Sequence, residues 1–236
     1  MFPIKIIKRG YKDMLNILYP RLCLSCDEVL HEDEKEICHQ CLSSLQLSRF
    51  DYTQNNPVYN RLSAIVNIER ATALFLFDKA GVIQKLIHKL KYENHPEIGA
   101  FFAKTSIKYL QENRFFNDVD YIIPVPLHPK KQRQRGYNQM SVFGENLGNY
   151  FSVPYTEKIL LRQIYTESQT QKNALERRDN VRQAFDVVGA ELCAGKHFVI
   201  IDDVITTGAT IEACVETILK KIPQAKVSVL ALAVVL

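Results

Sequence analysis

Two adjacent aspartates, followed by a threonine-rich turn, form the segment of this chain best suited to chemistry. Asp202 and Asp203 come directly after the apolar run 198–201. Ligands of open α/β sheets bind beyond the carboxyl ends of the strands, which is where such a segment places its polar groups. Backbone amides of the turn, together with the helix N-terminus that it opens, favour a bound phosphate, and Gly208 permits close backbone approach. The turn consists of Thr206, Thr207, Gly208, Ala209 and Thr210.

The two carboxylates restrict which phosphate ligand can bind beside them. Because like charges repel, a phosphate site with two carboxylates suits a ligand that offers hydroxyl groups or a metal ion at that end. Ribose 5-phosphate does so: Asp202 and Asp203 can accept hydrogen bonds from its 2′ and 3′ hydroxyls while the turn binds the 5′-phosphate. A capped helix without a ligand is the alternative. A Walker-type nucleotide loop is disfavoured because its Gly-Lys-[Ser/Thr] signature is absent. We expect Asp203→Ala to abolish ligand binding with little loss of fold.

Four cysteines near the start of the chain have the spacing of a tetrahedral zinc site. The pattern is C-x2-C-x11-C-x2-C, formed by Cys23, Cys26, Cys38 and Cys41. Four thiolates leave no open coordination position, so the predicted Zn²⁺ is structural and contributes about 10 to 16 kcal/mol to folding. Four thiols without metal are the alternative, and His39 is interpreted as a bystander. We expect Cys38→Ser to unfold this segment alone, and Cys193 and Cys214 to be buried apolar residues.

The elements that must position these residues alternate between strand and helix. A boundary near residue 60 separates a segment at 1–60, with a helix at 6–19, the cysteines and a polar linker at 43–60, from a domain at 61–236. Strands are predicted at 71–77, 121–125, 198–201 and 227–235, and helices from Val82, at 140–150 and at 211–222. Such alternation predicts an α/β fold with a mostly parallel sheet covered on both faces. Residues 162–183 are polar and predict a long loop.

Three stretches of the sequence resemble known proteins. Residues 199–210 resemble the signature that binds phosphoribosyl pyrophosphate (PRPP) in type I phosphoribosyltransferases. Residues 124–129, with Arg133 and the string 135–139, resemble the ComF family. So does a spaced series comprising Arg162, Thr166, Gln169, Leu175, Arg178, Asn180, Ala184 and Phe185. The resemblance implies a sheet of the type I phosphoribosyltransferase kind and a small N-terminal zinc-binding module.

The same resemblance assigns roles to other segments. The turn after strand 121–125 corresponds to the pyrophosphate loop, with amides near Leu127 and His128 and added charge from Arg135. His128 can equally be structural. The loop at 162–182 corresponds to a hood that closes over PRPP and brings Arg177 or Arg178 to the leaving group. Mg²⁺ is expected with the diphosphate, close to the aspartates.

Two functions follow from the resemblance, and a third stays open because one fold can host several chemistries. One is a phosphoribosyltransferase that stabilises departing pyrophosphate and has an unidentified acceptor. The other is a non-catalytic PRPP-sensing scaffold that binds single-stranded DNA or a helicase partner during natural transformation, and a salvage or phosphatase-like activity on sugar phosphates is a third. No Ser-His-Asp set in the sequence offers a competing mechanism.

Composition and charge set wider limits. The formal net charge is +4, with basic patches around Lys5, Lys89 and Lys131. Anionic partners are plausible, although such patches are often solvated helix faces. No apolar run of the length of a signal peptide or membrane span follows the basic N-terminus, so we expect a cytoplasmic protein. Because that compartment is reducing, the cysteines indicate metal binding rather than disulfides.

Overall fold

The computed structural model describes residues 19–52, 56–163 and 184–236. Apart from Tyr19, the predicted helix at 6–19 lies outside these ranges. Most of the predicted hood loop, including Arg177 and Arg178, lies outside them as well.

A parallel four-stranded sheet forms the centre of the described chain. Its strand order is β1-β6-β5-β2, and each neighbouring pair is parallel. A separate antiparallel pair joins β3 and β4. The predicted α/β class with a mostly parallel sheet is confirmed. In chain order the strands are β1 (Arg70–Leu76), β2 (Tyr121–Pro124), β3 (Leu160–Arg162), β4 (Phe185–Val187), β5 (His197–Ile205) and β6 (Lys226–Val234).

Helices cover both faces of the sheet, because alternate residues of the buried strands point to opposite sides. Val199 and Ile201 pack with α3, α4 and α6, whereas Phe198 and Ile200 pack with α2 and α7. Neither α4 nor the short α5 was predicted from the sequence. The helices in the described ranges are α1 (His39–Ser43), α2 (Pro57–Ser63), α3 (Val82–Tyr92), α4 (Glu97–Glu112), α5 (Pro129–Arg135), α6 (Ser141–Phe151) and α7 (Ala209–Lys221).

Strand β5 is longer than predicted. The apolar run was expected to end at residue 201, but pairing with β6 continues through Asp202, Val204 and Ile205. This continuation has a physical cause, since β6 is apolar and buried along almost its whole length and offers ladder partners up to Val234. The two aspartates therefore belong to the strand itself, which fixes their backbones more rigidly than a loop would.

Neighbouring segments cover both edges of the sheet. Beside β1, the amide of Ser48 donates to the carbonyl of Leu74 at 2.9 Å, so the chain leaving the cysteine segment lies along this edge. Beside β2, the amide of Thr156 donates to the carbonyl of Ile122 at 3.0 Å. Covered edges remove unpaired strand groups that would promote aggregation.

The cysteine segment packs on the face of the domain that α3, α4 and α6 cover. Cys23, Leu30 and Ile37 belong to the same buried cluster as Leu86 of α3 and Phe102 of α4. None of the helices in the described ranges combines the length and apolar character needed to cross a bilayer.

Candidate functional site

The carboxyl end of β5 brings the two aspartates and the threonine turn together. Asp203 is buried and Asp202 is half-buried, on successive positions of the strand. Residues 206–208 form the turn, and α7 begins immediately afterwards at Ala209. The strand, carboxylates, turn and helix thus follow in the order that the sequence predicted.

Asp203 is held by two side chains from other elements. Lys91, at the end of α3, donates from Nζ to Oδ1 at 2.5 Å. Gln139 donates from Nε2 to Oδ2 at 2.6 Å. The basic patch that contains Lys91 was expected to be either a solvated helix face or a site for anionic partners, and Lys91 in fact pairs with Asp203. Binding of ribose hydroxyls by Asp203 stays a prediction, and both oxygens of this carboxylate already accept hydrogen bonds within the chain.

Side chains of the string 135–139 form the hydrogen bonds that surround Asp203 and the neighbouring turn. Arg135 donates to Oε1 of Gln139 and thereby orients the amide whose nitrogen reaches Asp203. Tyr137 donates from its hydroxyl to the carbonyl of Leu90 at 2.8 Å, which ties the string to α3. Asn138 donates to the carbonyl of Val125 at 3.0 Å and so fixes the turn after β2. Gly136, the second residue of the string, has a φ of 82° and ends α5.

Asp202 has a different electrostatic state. Burial raises the pKa of its carboxyl to about 8, and the nearby charge of Asp203 acts in the same direction. The raised pKa favours the protonated form of Asp202. Because Asp203 is paired with Lys91 and Asp202 carries its charge less readily, a phosphate beside them is repelled less strongly than it would be by two unpaired carboxylates.

Two features shape the turn after β5. Gly208 has φ of 87°, and a Cβ built there would lie 2.8 Å from Cδ2 of Leu62, so a side chain is excluded on both grounds. Arg61 of α2 donates from Nη1 to the carbonyl of Thr206 and to that of Val235, each at 2.6 Å. These two hydrogen bonds hold the carbonyl of Thr206 in place. The amides at 206, 207, 208 and 210 donate to no described residue. They remain available to an anion.

The turn after β2 presents a second set of unused amides. Leu127 and His128 lie between Pro126 and Pro129, which have no amide proton, and neither Leu127 nor His128 donates to a described residue. His128 caps α5, since its Nδ1 accepts from the amide of Lys130 at 3.2 Å. Burial and the charges of Arg162, Lys130 and Lys131 lower the pKa of His128, which indicates positive potential around this turn. Arg135 lies at the opposite end of α5 from these amides.

The four cysteines form a cluster that fits a tetrahedral metal ion. All four sulfurs lie within 4.8 Å of one another, and those of Cys26 and Cys38 are 3.7 Å apart. Tetrahedral bonds of about 2.3 Å place sulfurs about 3.8 Å apart, in agreement with that spacing. Burial raises the pKa of Cys23, but amide hydrogen bonds, largest from Cys38, outweigh it and lower the value to about 7. His39 pairs with Asp33 at 2.7 Å, outside the cluster.

The other cysteines belong to the core, as expected. Cys193 and Cys214 are buried among the apolar residues on the face of the sheet that α2 and α7 cover.

A buried serine, a buried histidine and an exposed aspartate also meet at the opposite end of the sheet, and this group was not predicted from the sequence. His197 Nδ1 lies 3.1 Å from the carbonyl and 3.2 Å from Oδ2 of Asp118. Because both partners are acceptors, Nδ1 carries the proton, and Nε2 accepts from the hydroxyl of Ser228 at 2.8 Å. Ser228 is 0% exposed, so no substrate reaches this group. The arrangement joins strands and is not a nucleophilic site.

Comparisons with known proteins agree with this geometry. Residues 142–235 match the phosphoribosyl transferase domain family. The chain is 28% identical over 208 residues to "DNA utilization protein YhgH" of Escherichia coli O157:H7, covering 84% of each chain. It is 29% identical to "Competence protein F" of Haemophilus influenzae, over 63% of this chain and 66% of that protein. Identity to "Competence protein ComFC" of Bacillus subtilis is 22%, over 89% of this chain and 94% of that protein.

Proposed function

We propose that this chain, which belongs to the ComF family of phosphoribosyltransferase-like proteins, binds PRPP or ribose 5-phosphate with Mg²⁺ and acts in DNA uptake during natural transformation. The names of its relatives, which refer to competence and DNA utilization, support the biological role. The site at the end of β5 supports the ligand.

One observation carries the ligand proposal. In the turn at 206–210, the amides of residues 206, 207, 208 and 210 donate to no described residue and follow directly after two aspartates, and the positive φ of Gly208 disfavours any side chain there. Exposed Thr206 and Thr207 add hydroxyl groups, and α7 adds its positive helix end. A terminal phosphate bound there would place the sugar ring over the aspartates.

The donor set also fits Mg²⁺. Magnesium prefers carboxylate, phosphate and water oxygens. Asp202 is the better ligand of the pair, because Lys91 and Gln139 occupy the oxygens of Asp203. When bound, the ion would neutralise charge on the diphosphate. Each oxygen of Asp203 has a lone pair that Lys91 and Gln139 do not use, and Asp203 would orient the sugar by accepting hydrogen bonds there.

Catalysis by this site would consist of stabilising a leaving group. Transfer breaks the bond between ribose C1 and the diphosphate oxygen, and the acceptor forms a new bond to C1. The free amides of Leu127 and His128 would receive the departing pyrophosphate in a region of positive potential. Arg177 or Arg178 would add charge from the hood loop.

A non-catalytic scaffold is the second candidate. The ion pair between Lys91 and Asp203 favours it, because an enzyme would have to rearrange that pair for Asp203 to bind ligand hydroxyls. In this alternative PRPP is sensed rather than consumed, and the chain binds single-stranded DNA or a helicase.

Pyrophosphate release distinguishes the two. The purified chain would be incubated with Mg²⁺, PRPP and candidate nucleobases or amines, beside an Asp202→Asn, Asp203→Asn variant. Acceptor-dependent release that the variant lacks supports the transferase. Tight PRPP binding without release, together with single-strand DNA binding that survives both substitutions, supports the scaffold. Failure to bind PRPP or ribose 5-phosphate would contradict both.

For the cysteine cluster we propose one structural Zn²⁺ per chain, measurable by elemental analysis. The spacing of the sulfurs supports this metal, since zinc prefers four thiolates in a closed tetrahedral site. The four cysteines of the cluster would bind the ion as thiolates, and a location in the cytoplasm, which is a reducing compartment, stays a prediction.

A further inference from the structure

The acceptor that receives the ribose has so far no chemical description, and a cavity beside Asp203 supplies one. We propose that the cavity between α3 and α5 is the acceptor subsite and that it selects a small planar acid bearing a carboxylate. This inference rests on the proposed function. The cavity has a volume of about 190 Å³, and its walls include Lys91, Tyr92, Lys131, Gln134, Arg135 and Tyr137.

The cavity adjoins the sugar site through shared side chains. Lys91 lines the cavity and also pairs with Asp203 at 2.5 Å. Arg135 lines it as well and reaches Asp203 through the amide of Gln139. A ligand in the cavity would therefore lie one side chain away from the carboxylate assigned to the ribose ring, which is where an acceptor must lie.

The charge of the walls selects for an acid. Lys131 and Arg135 pair with no carboxylate among the described residues, and no described acidic side chain lines the cavity. Lys91 is the one lining cation with a recorded acidic partner, Asp203. Lys131 and Arg135 therefore face one small space without a neutralising carboxylate among the described residues, and an anionic ligand would relieve their mutual repulsion. The planar guanidinium of Arg135 matches a carboxylate with two parallel hydrogen bonds.

One end of the cavity lies away from the expected diphosphate position. The amides of Leu127 and His128 precede α5, Lys131 lies in its first turn and borders both positions, and Gln134 and Arg135 lie at its end. At a rise of about 1.5 Å per residue, the two ends of this helix are about 10 Å apart. A diphosphate held at the amides would leave the end of the cavity beside Gln134 and Arg135 to a second ligand.

Aromatic walls favour a ring as the carrier of the acid. Tyr92 is 67% exposed, and the guanidinium carbon of Arg135 lies 5.4 Å from the centre of its ring. Tyr137 is fixed through its hydroxyl to Leu90 and presents a rigid side wall. Two tyrosines and a stacked arginine suit a flat heterocycle better than an aliphatic acid.

Calorimetry with matched pairs of probes tests this inference. Nicotinate would be compared with nicotinamide, and orotate with uracil, on the full chain with Mg²⁺ and ribose 5-phosphate. We expect at least one acid to bind tenfold or more tightly than its neutral partner. The preference should fall about tenfold in Lys131→Gln and in Arg135→Gln, whereas Lys108→Gln, which removes a fully solvated charge on α4, should retain it.

The outcomes separate this inference from the function on which it rests. Ribose 5-phosphate binding with no preference for either acid would overturn the acceptor assignment and leave the PRPP site standing. Displacement of the bound acid by inorganic pyrophosphate would also overturn it, because the cavity would then be the diphosphate subsite. Acid selectivity that depends on Lys131 without any ribose 5-phosphate binding would support the cavity and contradict the PRPP proposal. Lys131 is exposed, so its substitution does not endanger folding.

Discussion

Gln139 donates from its side-chain nitrogen to Oδ2 of Asp203 at 2.6 Å, while its own oxygen accepts from Arg135. This amide therefore links a half-buried arginine to a buried carboxylate. Its two contacts show that the string 135–139 also has a structural role, which is to hold Asp203 in position.

Replacing that amide should loosen the site. Gln139→Met keeps the volume but removes both the donor to Asp203 and the acceptor for Arg135. We expect the free energy of unfolding to fall by about 1 to 3 kcal/mol, because a buried carboxylate oxygen loses its partner. Urea denaturation measures this, and Gln132→Met on the exposed face of α5 is the control. A loss no larger than the control's would show that the hydrogen bond carries no stability.

The pair of Lys91 and Asp203 corrects the expectation that Asp203→Ala is harmless to the fold. Removing Asp203 leaves a lysine whose side chain is only 23% exposed without its partner. We expect both Asp203→Ala and Lys91→Met to cost about 1 to 3 kcal/mol, less than a fully buried pair because water still reaches the lysine. Lys108→Met, in an exposed pair, should change stability by less than about 0.5 kcal/mol. Equal effects at both lysines would refute this account.

Some of this arrangement was predictable and some was not. The strand, turn and helix of segment 198–210 could be predicted, because an apolar run followed by threonines and a glycine is compatible with few other local structures. The cysteine spacing predicted its own cluster. By contrast, Lys91 and Asp203 are 112 positions apart, and no local pattern joins them.

A weaker signal for Lys91 was nevertheless present. On a helix, residues four apart share a face, and Lys91 follows Ile87 at that spacing. Lys89 likewise follows Leu86 by three positions and is buried, pairing with Asp27 of the cysteine segment at 2.5 Å. A lysine on the apolar side of an amphipathic helix is partly buried and needs a carboxylate partner. A lysine on the polar side is solvated and needs none.

Acid should destabilise the chain partly through His197. Burial, and then the charge of Arg70, lower the pKa of its imidazole below the ordinary value, against the opposing effect of Asp118. The folded chain thus binds fewer protons than the unfolded chain, so this stability is present above the unfolded pKa of about 6.5 and is lost as the pH falls from there through the lowered pKa of the folded chain. Stability measured from pH 7 to 5 should decline less in His197→Gln than in the parent chain.

The carboxylates near His197 do not interfere in that range. Asp118 and Asp120 have lowered pKa values, so the stability that they contribute is lost only at more acidic pH. An unchanged slope between pH 7 and 5 in the variant would rule out His197 as its source. Ser228→Ala should separately cost about 1 to 3 kcal/mol, because Nε2 then lacks a donor.

Removing the metal should affect more than the cysteine segment. Asp27, next to Cys26, holds buried Lys89 of α3, and the segment shares its core cluster with α3 and α4. We expect a strong chelator to remove hydrogen-exchange protection from residues 19–47 and to weaken it in α3, while β5 and β6 stay protected. The same pattern is expected for Cys38→Ser. Complete unfolding would refute a boundary near residue 60, and no change would indicate thiols without metal.

A crystal of the chain soaked with ribose 5-phosphate tests the central claim most directly. The account predicts the phosphate against the amides at 206–210 and the ring hydroxyls within hydrogen-bond distance of Asp202 or Asp203. A site that stays empty at saturating ligand, with Asp203 still bound to Lys91 and Gln139, would contradict it.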